Sequence, residues 1–187
     1  MPGKAQRRNL SCESRSAADL LGWYGVTWTE AQVLAALPVS DNPDLGFVGS
    51  VDGPTGQLPP AGYGVHAGPI AQVLTQAGVP ADARTGVTFD SLRRTVASGR
   101  PAIVWATSHL KVRQPAWLRD RAGRAFRAVA GEHTFLLTGY DAGRVLLVDS
   151  ATGRERWVSR DAFERAFALL GRMAVVPRIS RASAAGA

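Results

Sequence analysis

The chain has 187 residues, 45% of them hydrophobic and 20% charged, which is about one domain's length with enough apolar content for a folded core. Twenty-two Lys and Arg against fifteen Asp and Glu give a net charge of +7, which permits an acidic partner without requiring one. No apolar run approaches the ~18 residues of a membrane span, and a single Cys excludes an intramolecular disulfide and any multi-cysteine metal or iron–sulfur centre.

The opening Met1-Pro2-Gly3-Lys4-Ala5-Gln6-Arg7-Arg8 lacks the apolar segment of a secretory signal, so a cytoplasmic protein is expected, or a secreted one if the start is truncated. From Ser14 onward, Ala17, Leu20, Leu21 and Tyr24 fall on one face of a helix that closes at Gly22 and Gly25. Thr29-Glu30-Ala31-Gln32 has capping-box spacing and opens a second helix, ended by Pro38. Residues 38–67 hold six Gly and five Pro, a density that breaks both regular periods; they read as a long, ordered surface loop pinned by Phe47, Val48, Val51 and Tyr63.

Ile70, Val73, Leu74 and Ala77 restore the helical spacing, and Phe89, Leu92 and Val96 give another short helix. Residues 101–106 form a continuous apolar run with the length of a buried strand, whereas 109–131 are polar and Arg-rich, with no element expected. Two strands, 134–140 and 144–148, follow across Asp141-Ala142-Gly143, and Trp157 and Val158 mark another. A last helix carries Phe163, Ala166, Phe167 and Leu170 behind Ser159 as N-cap, then a closing strand at 172–176. Helices lead and strands come late, which predicts an α+β fold in one domain over 1–177, with 178–187 as a flexible tail.

Cys12 lies just before the first helix, where the helix dipole and unpaired amides favour thiolate. Glu13 beside it opposes that effect and reads more simply as a favourable first-turn acid. A thiol nucleophile needs a base. His66 lies in the loop segment 62–67 with no carboxylate at useful spacing, and His109 begins the Arg-rich stretch. His133 instead stands at the entrance of an apolar strand, with Asp149 at the end of the next. If Gly143 is the left-handed third residue of a three-residue turn, Tyr140 pairs with Arg144 and Phe135 faces Asp149. His133 and Asp149 then fall diagonally on one face. A two-residue turn would separate them onto opposite faces. Each residue also has a plainer role: Cys12 as a small buried side chain, Asp149 as a strand-ending turn residue.

Taken together, these segments resemble the peptidase family thirty-nine-like proteins, the bacteriocin-leader-peptidase type among the papain-like cysteine hydrolases of bacteria. The resemblance runs through Gln6, Asn9-Leu10-Ser11-Cys12-Glu13, Trp23-Tyr24-Gly25, Asn42-Pro43-Asp44-Leu45-Gly46-Phe47-Val48-Gly49 and Gly62-Tyr63-Gly64-Val65-His66-Ala67. It continues through Gly99-Arg100-Pro101-Ala102-Ile103-Val104-Trp105, Gly131-Glu132-His133-Thr134, Gly139-Tyr140-Asp141 and Val148-Asp149-Ser150, covering about residues 6 to 176. It implies a papain-like cysteine peptidase fold, with an N-terminal Cys-bearing helix packed on an antiparallel sheet carrying His and Asp. It also implies Cys12 as nucleophile, His133 as general base and acid, and Asp149 as its orienter. Gln6, six positions before Cys12, takes the place of the oxyanion-hole glutamine; a free polar N-terminal side chain is its plainer reading. Better-known members carry Cys-Gly-Pro where this chain has Cys12-Glu13-Ser14, and their leader-peptide substrate is not carried over.

The expected activity is therefore cysteine-type hydrolysis of a peptide or amide bond through a thiol acyl-enzyme, without cofactor or metal, on a peptide or protein substrate. The alternative is a non-catalytic or acyl-transferring relative that binds peptides. A third reading, nucleic-acid binding, rests on Lys111, Arg113, Arg119, Arg121, Arg124 and Arg127 interleaved with Trp117 and Phe126. Because Arg is spread along the whole chain, a solvated basic loop beside the cleft is the preferred account, and no nucleic-acid partner is expected.

Overall fold

A computed structural model describes residues 3–179. Five helices, α1 (Cys12–Trp23), α2 (Glu30–Ala36), α3 (Ala67–Gln76), α4 (Phe89–Ala97) and α5 (Arg160–Leu169), flank an antiparallel six-stranded sheet. In spatial order the sheet runs β1 (Ala81–Arg84), β8 (Ala174–Pro177), β2 (Ala102–Thr107), β5 (Glu132–Tyr140), β6 (Arg144–Asp149) and β7 (Glu155–Ser159). A separate hairpin, β3 (Pro115–Arg119) with β4 (Ala125–Val129), leads into β5. The fold is α+β with the Cys-bearing helix against an antiparallel sheet. None of the described helices is long and apolar enough to cross a membrane.

Strand alternation divides the core in two, because successive side chains of β2 and β5 leave the sheet on opposite faces. Ile103, Trp105 and Leu136 join Ala17, Leu20, Leu21, Ile70 and Leu74 under α1 and α3. Val104, Phe135, Leu137 and Leu147 pack with Leu92, Phe163 and Phe167 under α4 and α5. Leu20 is fully buried, so truncating it to Ala should cost about 2–5 kcal/mol. The capping box at Thr29 is present, with Gln32 N–H donating to the Thr29 hydroxyl at 3.2 Å and the Thr29 N–H donating to Gln32 Oε1 at 2.9 Å. Ser159 caps α5 by accepting the Ala162 N–H.

The loop between α2 and α3 is irregular but held to the body: Phe47, Val48 and Tyr63 are buried, and Val48 N–H donates to Gly64 O at 2.9 Å. Two elements go beyond the sequence expectation. β1 is a four-residue strand whose Ala-Asp-Ala-Arg sequence has no strand character; pairing with β8 creates it. The Arg-rich stretch, expected to be a loop, is the β3–β4 hairpin. Its Phe126 is buried against Val48 and Tyr63 rather than offered for stacking, while Trp117 is exposed. The expected tail beyond Ile179 lies outside the described residues.

The β5–β6 hairpin reaches its register by a different route from the one expected. Asp141 N–H donates to Arg144 O at 3.0 Å, which leaves a two-residue turn of Ala142 and Gly143. Gly143 is not in the left-handed region, and Tyr140 pairs with Val145 rather than Arg144. That alone would carry His133 and Asp149 to opposite faces. A bulge at Thr138 then absorbs one residue of β5, so that Leu137 pairs with Leu147 and Phe135 with Asp149.

Candidate active site

Cys12 is the first residue of α1, one step further into the helix than expected, behind Ser11 as N-cap. Ser11 does not cap with its side chain; its hydroxyl instead lies within hydrogen-bond reach of two acceptors, Arg8 O and Glu30. Arg15 reaches Glu30 and Asp19, at 3.5 and 2.7 Å, so the turn before Cys12 is tied to both α1 and α2. Cys12 is buried, with 6% of its surface exposed.

The thiol donates to Glu13 Oε2 at 3.2 Å, and the Thr134 hydroxyl is its other partner. Glu13 is fully buried, and its Oε1 accepts the Val65 N–H at 2.7 Å. A Cβ at residue 64 would collide with that carboxylate, and φ there is +120°, so Gly64 is what admits Glu13 to the site. Glu13 is therefore not the solvated first-turn acid read from the sequence. It bridges the nucleophile's helix and the loop before α3.

A second carboxyl closes on the same point. Donor atoms of Cys12, Glu13 and Glu132 all lie within 4.8 Å of one another. Part of the Glu132 stem reaches solvent, but both carboxyl oxygens are sealed and accept no hydrogen bond. With the thiol already donating to Glu13, these donors suit proton sharing better than ion binding.

Burial is the main force that pushes the Cys12 thiol well above its ordinary range; the charges of Glu13 and Glu132 add to it, and the Thr134 bond only partly offsets them. This reverses the depressed thiol expected at a helix N-terminus. Burial likewise lifts the Glu13 carboxyl to about 7, against the Val65 and Cys12 hydrogen bonds that favour its ionised form. Glu132 is pushed well above the carboxylate range by burial and by Glu13.

On the other face of β5, His133 Nε2 lies 2.8 Å from Asp149 Oδ1. The imidazole packs edge-on against Phe135, with ring centroids 4.8 Å apart. Asp149 also accepts the Ala151 N–H at 3.0 Å, and Arg156 stands 3.3 Å from its Oδ2. Burial alone would raise the Asp149 carboxyl, but His133, the Ala151 amide and Arg156 together bring it below its usual range. Ser150, which the sequence did not single out, sets its hydroxyl 3.3 Å from His133 Nε2 and donates to Thr134 O at 2.8 Å.

The structure thus joins His133 to Asp149 and Cys12 to Glu13; Glu132 and His133 are consecutive in β5, so the thiol cluster lies on the α1 face of that strand and the imidazole pair on the other. Gln6 is anchored alongside, its N–H donating to Ser150 O at 2.8 Å. Its side-chain Nε2 is committed to Arg8 O and Asn9 O, at 2.8 and 2.9 Å, so an oxyanion could use that amide only after one bond is released.

The structure holds a second His–Asp pair. His66 Nδ1 sits 2.7 Å from Asp44 Oδ1, across 22 residues of loop that local spacing cannot connect. His66 is buried beside Tyr63 at the start of α3 and serves to hold the loop. A surface groove of about 490 Å³ between the loop and the hairpin tip, lined by Val39, Val48, Pro60 and Arg124 among others, includes neither Cys12 nor His133.

Comparison with known proteins agrees with this architecture. The model of the Peptidase_C39 like family matches residues 1–175. The uncharacterized protein YvpB of Bacillus subtilis (strain 168) is 28% identical over 183 residues, covering 92% of this chain and 70% of YvpB. The crystal structure of a candidate C39-like peptidase from Bacillus anthracis superposes with a TM-score of 0.83 at 23% identity, covering 95% of this chain and 94% of the other.

Proposed function

Because the chain belongs to the Peptidase_C39 like family, of papain-like cysteine peptidases, we propose that it is a thiol hydrolase that cleaves a peptide or amide bond of a peptide or protein substrate. The observation that carries this reading is the His133–Asp149 pair at 2.8 Å, mounted on the strand whose first residue, Glu132, lies beside the Cys12 sulfur. With Nε2 held by Asp149, Nδ1 is the nitrogen left to serve the thiol, and the bond to Asp149 fixes that tautomer.

In this reading Cys12 Sγ leaves Glu13 and must come past the start of β5 to His133 Nδ1, which takes the thiol proton as sulfur attacks the carbonyl carbon. The tetrahedral intermediate expels the amine, which receives that proton from His133, and a thioester to Cys12 remains. Water, deprotonated by His133, then releases the acid and restores the thiol. The Cys12 backbone N–H and, once freed, the Gln6 amide serve the oxyanion; one such donor is worth roughly 2.7–4 kcal/mol.

Fluorogenic peptide mixtures test the proposal. Wild-type protein should release product, and Cys12→Ala and His133→Ala should each remove the activity while remaining folded. Equal turnover in all three proteins would overturn it. The thiol's bond to Glu13 and the commitment of Gln6 favour one second reading, a peptide-binding relative that has lost hydrolysis; full biological effect in Cys12→Ala would select it.

A further inference from the structure

Glu13 occupies a position that a first-turn acid has no need of. It is wholly buried, its two oxygens are divided between the nucleophile's sulfur and the Val65 amide, and a glycine at 64 makes room for it. Behind it stands Glu132, whose sealed oxygens find no hydrogen-bond partner while ionised. Two carboxylates and a thiolate confined within 4.8 Å cannot all carry charge in a dry pocket. The groups that face Glu13 are Cys12 from its own helix, Glu132 from β5, Tyr63 and the Val65 N–H from the loop, and none of these is cationic.

We propose that Glu13 is a catalytic residue of this chain: ionised, it holds Cys12 as the neutral thiol, and once it shares a proton with Glu132 it releases the sulfur to His133. This rests on the hydrolase reading and adds to it a control on when the nucleophile exists. An ionised carboxylate touching sulfur makes the thiolate costly. With a proton held between the two carboxyls, Glu13 no longer sets a full negative charge against sulfur, and the thiolate costs less. In the acylation step the thiol proton passes to His133, while the proton on the carboxyl pair stays in place, so charge and protons balance without a further reactant. The chain is then a hydrolase of the acid side of neutrality, failing as Glu13 ionises near the value of about 7 set by its burial.

The test is the rate of Cys12 alkylation by iodoacetamide from pH 5 to 9 in the full chain, compared among wild type, Glu13→Gln and Glu132→Gln, with a thermal melt at each pH. A simple thiol below its pKa gains roughly tenfold in rate per pH unit. The wild type should stay flat or fall between pH 6 and 8. Glu13→Gln should react at least about tenfold faster than wild type at pH 8 and nearly equally at pH 5.5, and Glu132→Gln should shift the same way. A wild-type profile that climbs like a simple thiol, or a Glu13→Gln rate at pH 8 no higher than wild type, would overturn the proposal. Should Glu13→Gln fail to fold, an unshifted Glu132→Gln profile overturns it equally.

His133→Ala separates the two claims. A slowed His133→Ala with no Glu13→Gln effect defeats the role of Glu13 alone. Acceleration by Glu13→Gln with no effect of His133→Ala defeats the triad and leaves the hold of Glu13 on the thiol standing.

Discussion

His133 meets Asp149 at 2.8 Å because Thr138 bulges out of β5 between that pair and the turn. The bulge is the extra residue that reconciles a two-residue turn with a one-face arrangement of imidazole and carboxylate. The Thr138 hydroxyl makes only a long contact, 3.4 Å, to Leu146 O. Deleting Thr138 should therefore leave Leu137 opposite Leu147 and Phe135 opposite Asp149, and peptide hydrolysis within a few-fold of wild type. Asp149→Ala keeps the register but removes the orienter, and should lower kcat/KM by about 10²–10⁴. Equal losses in both variants would show that the bulge does more than set register.

Glu13 predicts a pH dependence of stability. Its carboxyl titrates near about 7 in the fold, above its ordinary 4.5, so the folded chain binds that proton more tightly than the unfolded chain. The stabilisation is fully present below about 4.5 and is lost as pH rises through about 7, on the order of 3 kcal/mol in all. Glu13→Gln has no such titration. Urea denaturation at pH 5 and pH 8 should show wild type losing stability relative to Glu13→Gln as pH rises; parallel behaviour of the two would contradict the burial of this charge.

The two His–Asp pairs should separate by experiment. His66→Ala removes the partner of Asp44 and the start of α3, and should cost about 1–3 kcal/mol in urea denaturation. The rate of Cys12 alkylation in the folded His66→Ala protein should stay within about two-fold of wild type, since the proposed base is His133. If His66→Ala slows Cys12 and His133→Ala does not, the base is His66.

Much of the fold follows from local pattern. Ala17, Leu20, Leu21 and Tyr24 announce α1, Thr29 and Gln32 announce its successor, and the apolar run of β2 needs no partner to be read. Where pairing rather than composition makes the element, local pattern is silent. Ala81–Arg84 becomes a strand only because β8 lies beside it, and the Arg-rich β3–β4 hairpin is half exposed and carries little apolar alternation. The site divides along the same line. Cys12, His133 and Asp149 are legible because a rare residue type, a strand entrance and a strand end mark them. Glu13 and Glu132 look like ordinary surface acids until the close approach of Gly64 and the packing of α1 on β5 bury them. A left-handed Gly143 would give this register with a three-residue turn, whereas the fold achieves it with a bulge that the side chain of Thr138 does not betray.

The hydrolase reading requires a working partnership between the sulfur of α1 and the imidazole of β5. Its most direct measurement is the alkylation rate of Cys12 by iodoacetamide at pH 6 in wild type and His133→Ala, each referred to a free cysteine thiol. Such a partnership makes Cys12, buried though it is, react several-fold faster in wild type than in His133→Ala. A wild-type rate unchanged by His133→Ala would contradict it.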